Sequence, residues 1–407
     1  MQPERDILLG KLSREARILL HLFRLDSNPH IREALESSLT GPIDWRRLLE
    51  LADRHRLYPA LCEAVVRFAK ALVPQPVLAE MQEGRRRRFL LNRYMETHLV
   101  ELSKAFREAE VPLVAFKGPV LDRILYGEHN QRQYGDLDIL VSEDRVADAA
   151  AILKSMGYST EIDVPEPLRF SVLRHGGEML FCRPGSVAIE VDLHWRLFSI
   201  DFTNVDSLLG FWGRLQRVSL GGEELQTLGK KDLLVYLCHH NSKHLFENLG
   251  SVYEIAEMLQ LESELDWKAS TPVARSEGVD RALLLGPYLA SLLLDAPVPA
   301  TMLKIAKGDP VLGRLAERVV ANIDCTAMPK HSRSSFIRDL WPAPRARLRR
   351  LAAQIFIPQV SDWRSLPLRP SLSFLYYIFR PARLLMREVL ALARRISTQR
   401  AHPPIAA

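Results

Sequence analysis

Asp136 and Asp138, one residue apart in GDLDILV, are the residues whose type and spacing point most directly to chemistry. The segment is rich in strand formers. Side chains alternate along a strand, so the two carboxylates share one face about 7 Å apart, while Leu137, Ile139 and Val141 take the other. Like charges so placed repel unless a cation lies between them. Mg²⁺ is hard and oxygen-seeking, and takes one or two carboxylates together with substrate phosphates. A second segment, IEVDLHW, repeats the arrangement: Glu190, Asp192 and His194 alternate with Val191, Leu193 and Trp195. If this strand pairs beside the first, Asp192 joins Asp136 and Asp138 as a triad of metal ligands and catalytic carboxylates. Such a triad holds two divalent ions, Mg²⁺ or Mn²⁺, across an in-line phosphoryl displacement. Asp192 then serves as bridge or as base toward an acceptor hydroxyl.

The third part is PLVAFKGPVL. A strand followed by Lys-Gly and a helix start presents backbone N–H groups and a dipole to phosphate. Gly118 allows close approach, and Lys117 adds a point charge. Arg132, just before the carboxylates, either pairs with a nucleotide phosphate or locks the loop. His194 is placed on the nucleotide side, and Glu190 toward acceptor or cleft. On a later helix His240 and His244 share a face with Lys243 nearby, and these three are read as cleft or acceptor residues. The i, i+4 histidines match helical metal-ligand spacing, but the glutamate of an HExxH pair is absent. His175 before Gly176-Gly177 belongs to a loop over the site or to a surface turn. Each signal alone has an ordinary structural explanation, such as a solvated strand edge, a turn or a wet strand face. The order strand–Lys-Gly–helix, DxD, second acidic strand is what carries the chemical reading.

The elements that must position these residues form an α+β fold, a small mixed sheet flanked by helical regions. Residues 1–110 read as helical, residues 111–227 as the α/β core, 228–330 as a second helical domain, and 331–407 as an arginine-rich helical tail. In the first region a long helix runs from about Val77 to Ala109, after Pro74 and Pro76. Its run Arg85 to Arg88 wraps most of the way round, so one arginine faces inward to a carboxylate or phosphate, or the run is an exposed basic turn. In the core, strands are expected at VPLVAF, DLDILV, YSTEI, EMLFCR and VAIEVDLHW, the last two joined as a hairpin at Pro184-Gly185-Ser186. Ser142 is expected to cap a helix with Glu143 and Asp144 in its first turn, and Gly157 to stop it. GKKDLLVYLCHHNSKHLFENLGSVYEIAEMLQ reads as two helices, and MPKHSRSSF as a loop or linker.

The order FKGPVLDRILYGEHNQRQYGDLDILV, then GY, then EVDLHWRLF, resembles a bacterial nucleotidyltransferase-like family related to DNA polymerase β. The flanks DWRRLLELADRHRLYPAL and KKDLLVYLCHHNSKH are similar as well, so the resemblance covers roughly residues 20 to 265. It implies Asp136 and Asp138 as the metal-binding pair, Asp192 as the third carboxylate, and Lys117 and Gly118 as the phosphate-side turn. The superfamily turn is Gly-Ser or Gly-Gly. Here Pro119 follows Gly118, so the serine contact is missing and Lys117 takes its place. The long interval from Gly118 to Asp136 implies an enlarged loop carrying His129, Arg132 and Tyr134.

The function implied is transfer of a nucleoside monophosphate from an NTP to an acceptor, with release of pyrophosphate. The acceptor is a small molecule, peptide, protein or RNA. The alternatives are a non-catalytic nucleotide-binding or scaffold protein with the same fold, or a nucleic-acid-binding protein using its tail. No apolar run approaches a membrane span. The acids among the charges of the first twenty residues suit a helix, not a signal peptide. Cys62, Cys182, Cys238 and Cys325 are scattered without a CxxC pair, as buried free thiols of a cytoplasmic protein would be. Net charge is +6 overall, while residues 331–407 hold 14 arginines, no lysine and three acids (Asp339, Asp362, Glu388), or +11, leaving −5 for the rest. That asymmetry suggests an anionic partner for the tail, or a solvated helical face. The apolar stripe of the segment 373–396 lies either on an anionic membrane or, the favoured reading, against the body of the protein.

Overall fold

The computed structural model describes residues 2–23, 29–128, 131–160, 177–198, 210–261, 280–325, 329–341, 344–366 and 368–401. Helices α1 (Gln2–Leu9), α2 (Arg14–Leu20), α3 (Pro29–Leu39), α4 (Trp45–Arg54) and α5 (Tyr58–Ala64) lead to the 34-residue α6 (Gln75–Glu108). Asp44 begins α4 by accepting from the Arg47 N–H at 3.0 Å, which satisfies one of the orphan donors of the first turn. Pro74 and Pro76 mark the start of α6, where a missing N–H costs nothing. Arg85 pairs with Glu63. Arg88 pairs with Asp53 and lies over the Tyr58 ring at 3.9 Å, so the arginine run is partly turned in toward carboxylates.

The core follows as β1 (Val114–Ala115), α7 (Gly118–Tyr126), β2 (Asp136–Leu140), α8 (Val146–Ser155), β3 (Glu178–Arg183), β4 (Ile189–His194), β5 (Gln216–Leu220) and β6 (Glu223–Thr227). The sheet is mixed, in the order β3-β4-β2-β1-β6-β5. β2 runs parallel to β4, and β1 parallel to β6; the remaining neighbours are antiparallel. The β3–β4 hairpin folds at the expected turn. Of YSTEI, Ser159 bridges Cys182, while Glu161 and Ile162 lie outside the described residues. The β5–β6 hairpin was not among the expected strands, although Gly221 and Gly222, both at positive φ, make its two-residue turn. Ser142 stands ahead of a short 3-10 turn before α8, yet its hydroxyl makes no cap bond to the backbone; Gly157, at φ +85°, follows the helix end.

Helices α9 (Lys230–Lys243), α10 (Leu249–Leu261), α11 (Asp280–Leu294), α12 (Ala300–Lys307) and α13 (Pro310–Ala321) come next. They are followed by α14 (Lys330–Leu340), α15 (Pro344–Phe356), α16 (Val360–Ser365) and α17 (Tyr376–Ala401). MPKHSRSSF is therefore not a linker. It opens α14, whose Phe336 and Leu340 are fully buried, so tertiary packing outweighs the polar local sequence.

The sheet separates two apolar cores. Leu137, Ile139, Val191 and Leu193 face α6 and α8 through Leu99, Leu102, Phe106, Ala149 and Leu153. On the other face Val114, Phe116 and Leu140 join a core that takes in both the N-terminal helices and α9 to α14. Cys62 and Cys238 are buried free thiols, whereas Cys325 is exposed and Cys182 half-buried, so the expectation of burial holds for two of the four.

Candidate active site

Strand alternation and parallel pairing bring the acidic residues together. Asp138 lies directly opposite Asp192, and Asp136 opposite Glu190, so all four point from one face. His194, opposite Leu140, continues that face toward the second core. Glu178, which register pairing on β3 sets across from His194, completes the cluster.

Asp138 is the buried centre, 3% exposed. Its Oδ1 accepts from the Lys117 ammonium at 3.1 Å and lies 3.2 Å from His194 Nε2. The other ring nitrogen, Nδ1, lies 3.3 Å from Glu178 Oε2. Burial opposes the charge on Asp138, but Lys117 and His194 outweigh it and hold the carboxyl well below the usual range. Burial likewise opposes the charge on Lys117, while Asp138, Tyr236 and Asp136 hold its ammonium above the usual range. Asp192 behaves in the opposite way: burial first, then the neighbouring Asp138, push it up to about 6.

Gly118 makes this approach possible. Its φ is +54°, and a Cβ there would stand 3.1 Å from the Asp136 carbonyl oxygen. Pro119 removes one N–H from the start of α7, and the Val120 N–H bonds back to the Lys117 carbonyl at 3.2 Å. The turn therefore presents fewer free backbone N–H groups than a Gly-Ser turn would, and the lysine is its main positive charge. Of the two roles set out for Arg132, the structure shows the lock. The residue is buried, donates to Glu254 Oε1 at 2.7 and 2.9 Å and to the Gly118 carbonyl at 2.8 Å, and its own N–H reaches Asp122 Oδ1 at 2.9 Å. It braces the turn from beneath and does not face the carboxylates. Tyr134 is buried as well; His129 and His175 lie outside the described residues.

Helix α9 closes the other side. Tyr236 stacks edge-on against Phe116 at 5.0 Å, lies 5.9 Å from the Lys117 ammonium, and its hydroxyl pairs with His240 Nδ1 at 3.1 Å. Burial, then Lys117, keep His240 neutral by lowering its pKa well below the ordinary value. A cavity of about 270 Å³ opens beside this cluster. Tyr236, His240, Lys243 and Glu178 line it, and the end of α15 with Gln354 and Ile357 forms its far wall. His244 is exposed beside His240, ring centroids 4.6 Å apart, and is not part of that lining. Glu190 is exposed at the outer end of β4.

Sequence reasoning passed over Phe116, Glu178 and Tyr236. Tyr236 precedes His240 by four residues and so shares its helical face. Glu178 follows from folding β3 back on β4 about the 184–186 turn.

The residues suit a divalent cation. Asp138, Asp192 and His194 each bring a ligand atom within 4.8 Å of the others. Asp138 Oδ2 is buried without a hydrogen-bond partner. The carboxylates on this face outnumber the one ammonium, and two carboxylates are the donors that Mg²⁺ or Mn²⁺ prefers. Asp136 shares the face two residues earlier on β2 without entering this close group.

Among curated proteins no relative matches the chain. Among solved structures, an antigenic nucleotidyltransferase-like protein from Paracoccidioides brasiliensis is similar at 14% identity and a TM-score of 0.31, over 51% of this chain and 94% of that one. Residues 41–295, more than half of the chain and including every residue of the cluster, match the family described as uncharacterised nucleotidyltransferase, and the chain belongs to that family.

Proposed function

We propose that this protein transfers a nucleoside monophosphate from an NTP to an acceptor hydroxyl or phosphate, releasing pyrophosphate, in the manner of polymerase β-type nucleotidyltransferases. The observation that carries this reading is the in-register pairing of Asp138 with Asp192 on parallel strands, with Lys117 and His194 converging on Asp138. The acceptor oxygen attacks the α-phosphorus, and the bond from that phosphorus to the pyrophosphate oxygen breaks. Asp192, whose pKa lies near 6, takes the acceptor proton on a carboxylate oxygen. Lys117 lies where it can bind a phosphate oxygen while Asp138 orients its ammonium. A bound Mg²⁺ or Mn²⁺, held by Asp138, Asp192 and either His194 or Asp136, would neutralise phosphate charge. The cavity walled by Tyr236, His240 and Lys243 is the place for the acceptor, and its volume is near the lower end for small-molecule sites. A cytoplasmic setting, where NTPs are abundant, fits this chemistry.

The test is pyrophosphate release from each of the four NTPs with Mg²⁺ or Mn²⁺ and cell extract as acceptor source. Asp138→Asn and Asp192→Asn are each expected to lower turnover on the order of a hundredfold or more. Chelation is expected to abolish it, and added Mn²⁺ to restore it. Turnover that survives both substitutions would remove the proposal. One observation favours a second reading, a nucleotide-binding protein without turnover: the Lys117 ammonium already neutralises Asp138. Saturable NTP binding without pyrophosphate release would select it.

A further inference from the structure

The last helix, α17, presents two different faces. On one, Tyr376 is buried, its hydroxyl donating to the Leu366 carbonyl at 2.7 Å and accepting from the Leu368 N–H at 2.9 Å. Arg380, also buried, donates to Asp362 and to the Gln354 carbonyl, both at 2.7 Å, and Arg383 reaches Asp362 at 2.6 Å. Phe379 packs on the sheet core. These contacts anchor the start of the helix to the body.

Among the described residues, the other face has no such cover. Ile378, Leu385, Met386, Val389 and Leu390 are 67, 68, 64, 56 and 53% exposed. Ile378 stands seven residues before Leu385, Leu385 four before Val389, and Met386 four before Leu390, which puts them on one stripe of the helix. Leu348 and Leu351 of α15, which packs beside α17, are 68 and 53% exposed. Large aliphatic side chains gathered on a solvent-facing stripe mark an interaction surface, not a solvated one. By sequence the helix is strongly basic, with six arginines against Glu388 as its one acid, of which Arg380 and Arg383 are taken up by Asp362.

We infer that the exposed stripe of α17 docks on an anionic lipid bilayer. The aliphatic chains enter the headgroup–acyl boundary, and the excess positive charge of the helix draws it to anionic headgroups. The helix lies on the surface: among the described residues, no helix is long and apolar enough to cross a membrane. Nucleic acid is the poorer fit, because aliphatic chains neither stack on bases nor bind phosphate. A second copy is also poorer, because it would set one arginine-rich helix against another. The inference is independent of the proposed chemistry.

The experiment is flotation of the full chain with phosphatidylcholine vesicles, with and without phosphatidylglycerol. The wild-type protein is expected to float with the anionic vesicles alone, and raised salt to weaken this. The exposed-residue variant Leu385→Asn/Met386→Asn/Val389→Asn is expected to bind about tenfold or more weakly, with unchanged circular dichroism. Absence of flotation, or equal flotation of the variant, overturns the inference. So does a wild-type dimer that the variant converts to monomer, or RNA retention that the variant loses while vesicle binding persists.

Discussion

At the scale of single residues, the site is organised around one buried carboxylate. Asp138 sits in an apolar sheet, where an unpaired charge would cost several kcal/mol. Lys117 and His194 supply the compensation, and the ammonium is itself held in place as a consequence; on the proposed function it is there that it would meet a phosphate. Removing the lysine separates these roles. Lys117→Met is expected to destabilise the fold by about 3 kcal/mol, because a buried anion loses its partner. The same variant is expected to lose NTP binding, measured by calorimetry, even where urea titration shows it folded. Gly118→Ala tests the turn itself. The left-handed φ and the 3.1 Å approach to the Asp136 carbonyl predict a loss of about 1–2 kcal/mol in stability, with turnover falling further as β2 shifts.

At the scale of elements, the turn and the acidic strands are held in register by a brace that contains no catalytic group. Arg132 joins the Gly118 carbonyl, the Asp122 carboxylate and Glu254 of α10, tying the helix bundle to the β1–α7 turn. Arg132→Met leaves half-buried Glu254 without its partner and is expected to cost about 3 kcal/mol in chemical denaturation. Adding Glu254→Gln is expected to recover part of that loss, since the unpaired charge is gone. Additive effects of the two substitutions would show that they do not share one interaction. The β2–β4 pairing is the second element-level device. A slip of one residue would send Asp136 and Asp138 into the apolar core, so Leu137, Ile139, Val191 and Leu193 enforce the register that pairs Asp138 with Asp192 by being buried.

At the scale of the molecule, helices from both sides of the sheet in sequence share one core, and His55 is a joint within it. The ring is 1% exposed; Nδ1 accepts from the Leu249 N–H at 3.1 Å, and Nε2 lies 2.9 Å from the Ile323 carbonyl. These contacts fit the neutral ring with its proton on Nε2, and protonating Nδ1 would oppose the Leu249 N–H. Burial, reinforced by Arg54, lowers the His55 pKa to about 4. The unfolded chain, near 6.5, binds the proton more readily than the folded one. This contribution is therefore present above about 6.5 and is lost as pH falls toward about 4, by about 3 kcal/mol in all. Melting temperatures measured across that window are expected to fall with pH, and His55→Gln to flatten the dependence. An unchanged slope in that variant would assign the acid sensitivity elsewhere.

Much of the site was legible because its signal is local. The DxD and IEVDLHW alternations follow from the two-residue repeat of a strand, and Lys117-Gly118 from a strand-to-helix turn, so residue types and spacing alone placed them. The buried lock of Arg132, the carboxylate partner of His194, the Tyr236 wall and the helix formed by MPKHSRSSF depend on neighbours distant in the chain. For these, local sequence is indifferent and burial decides. The tail shows the same division. Its charge and apolar stripe are properties of composition and helical period. Which face packs on Asp362 and the sheet, and which is left outward, was settled only by the packing of the whole chain.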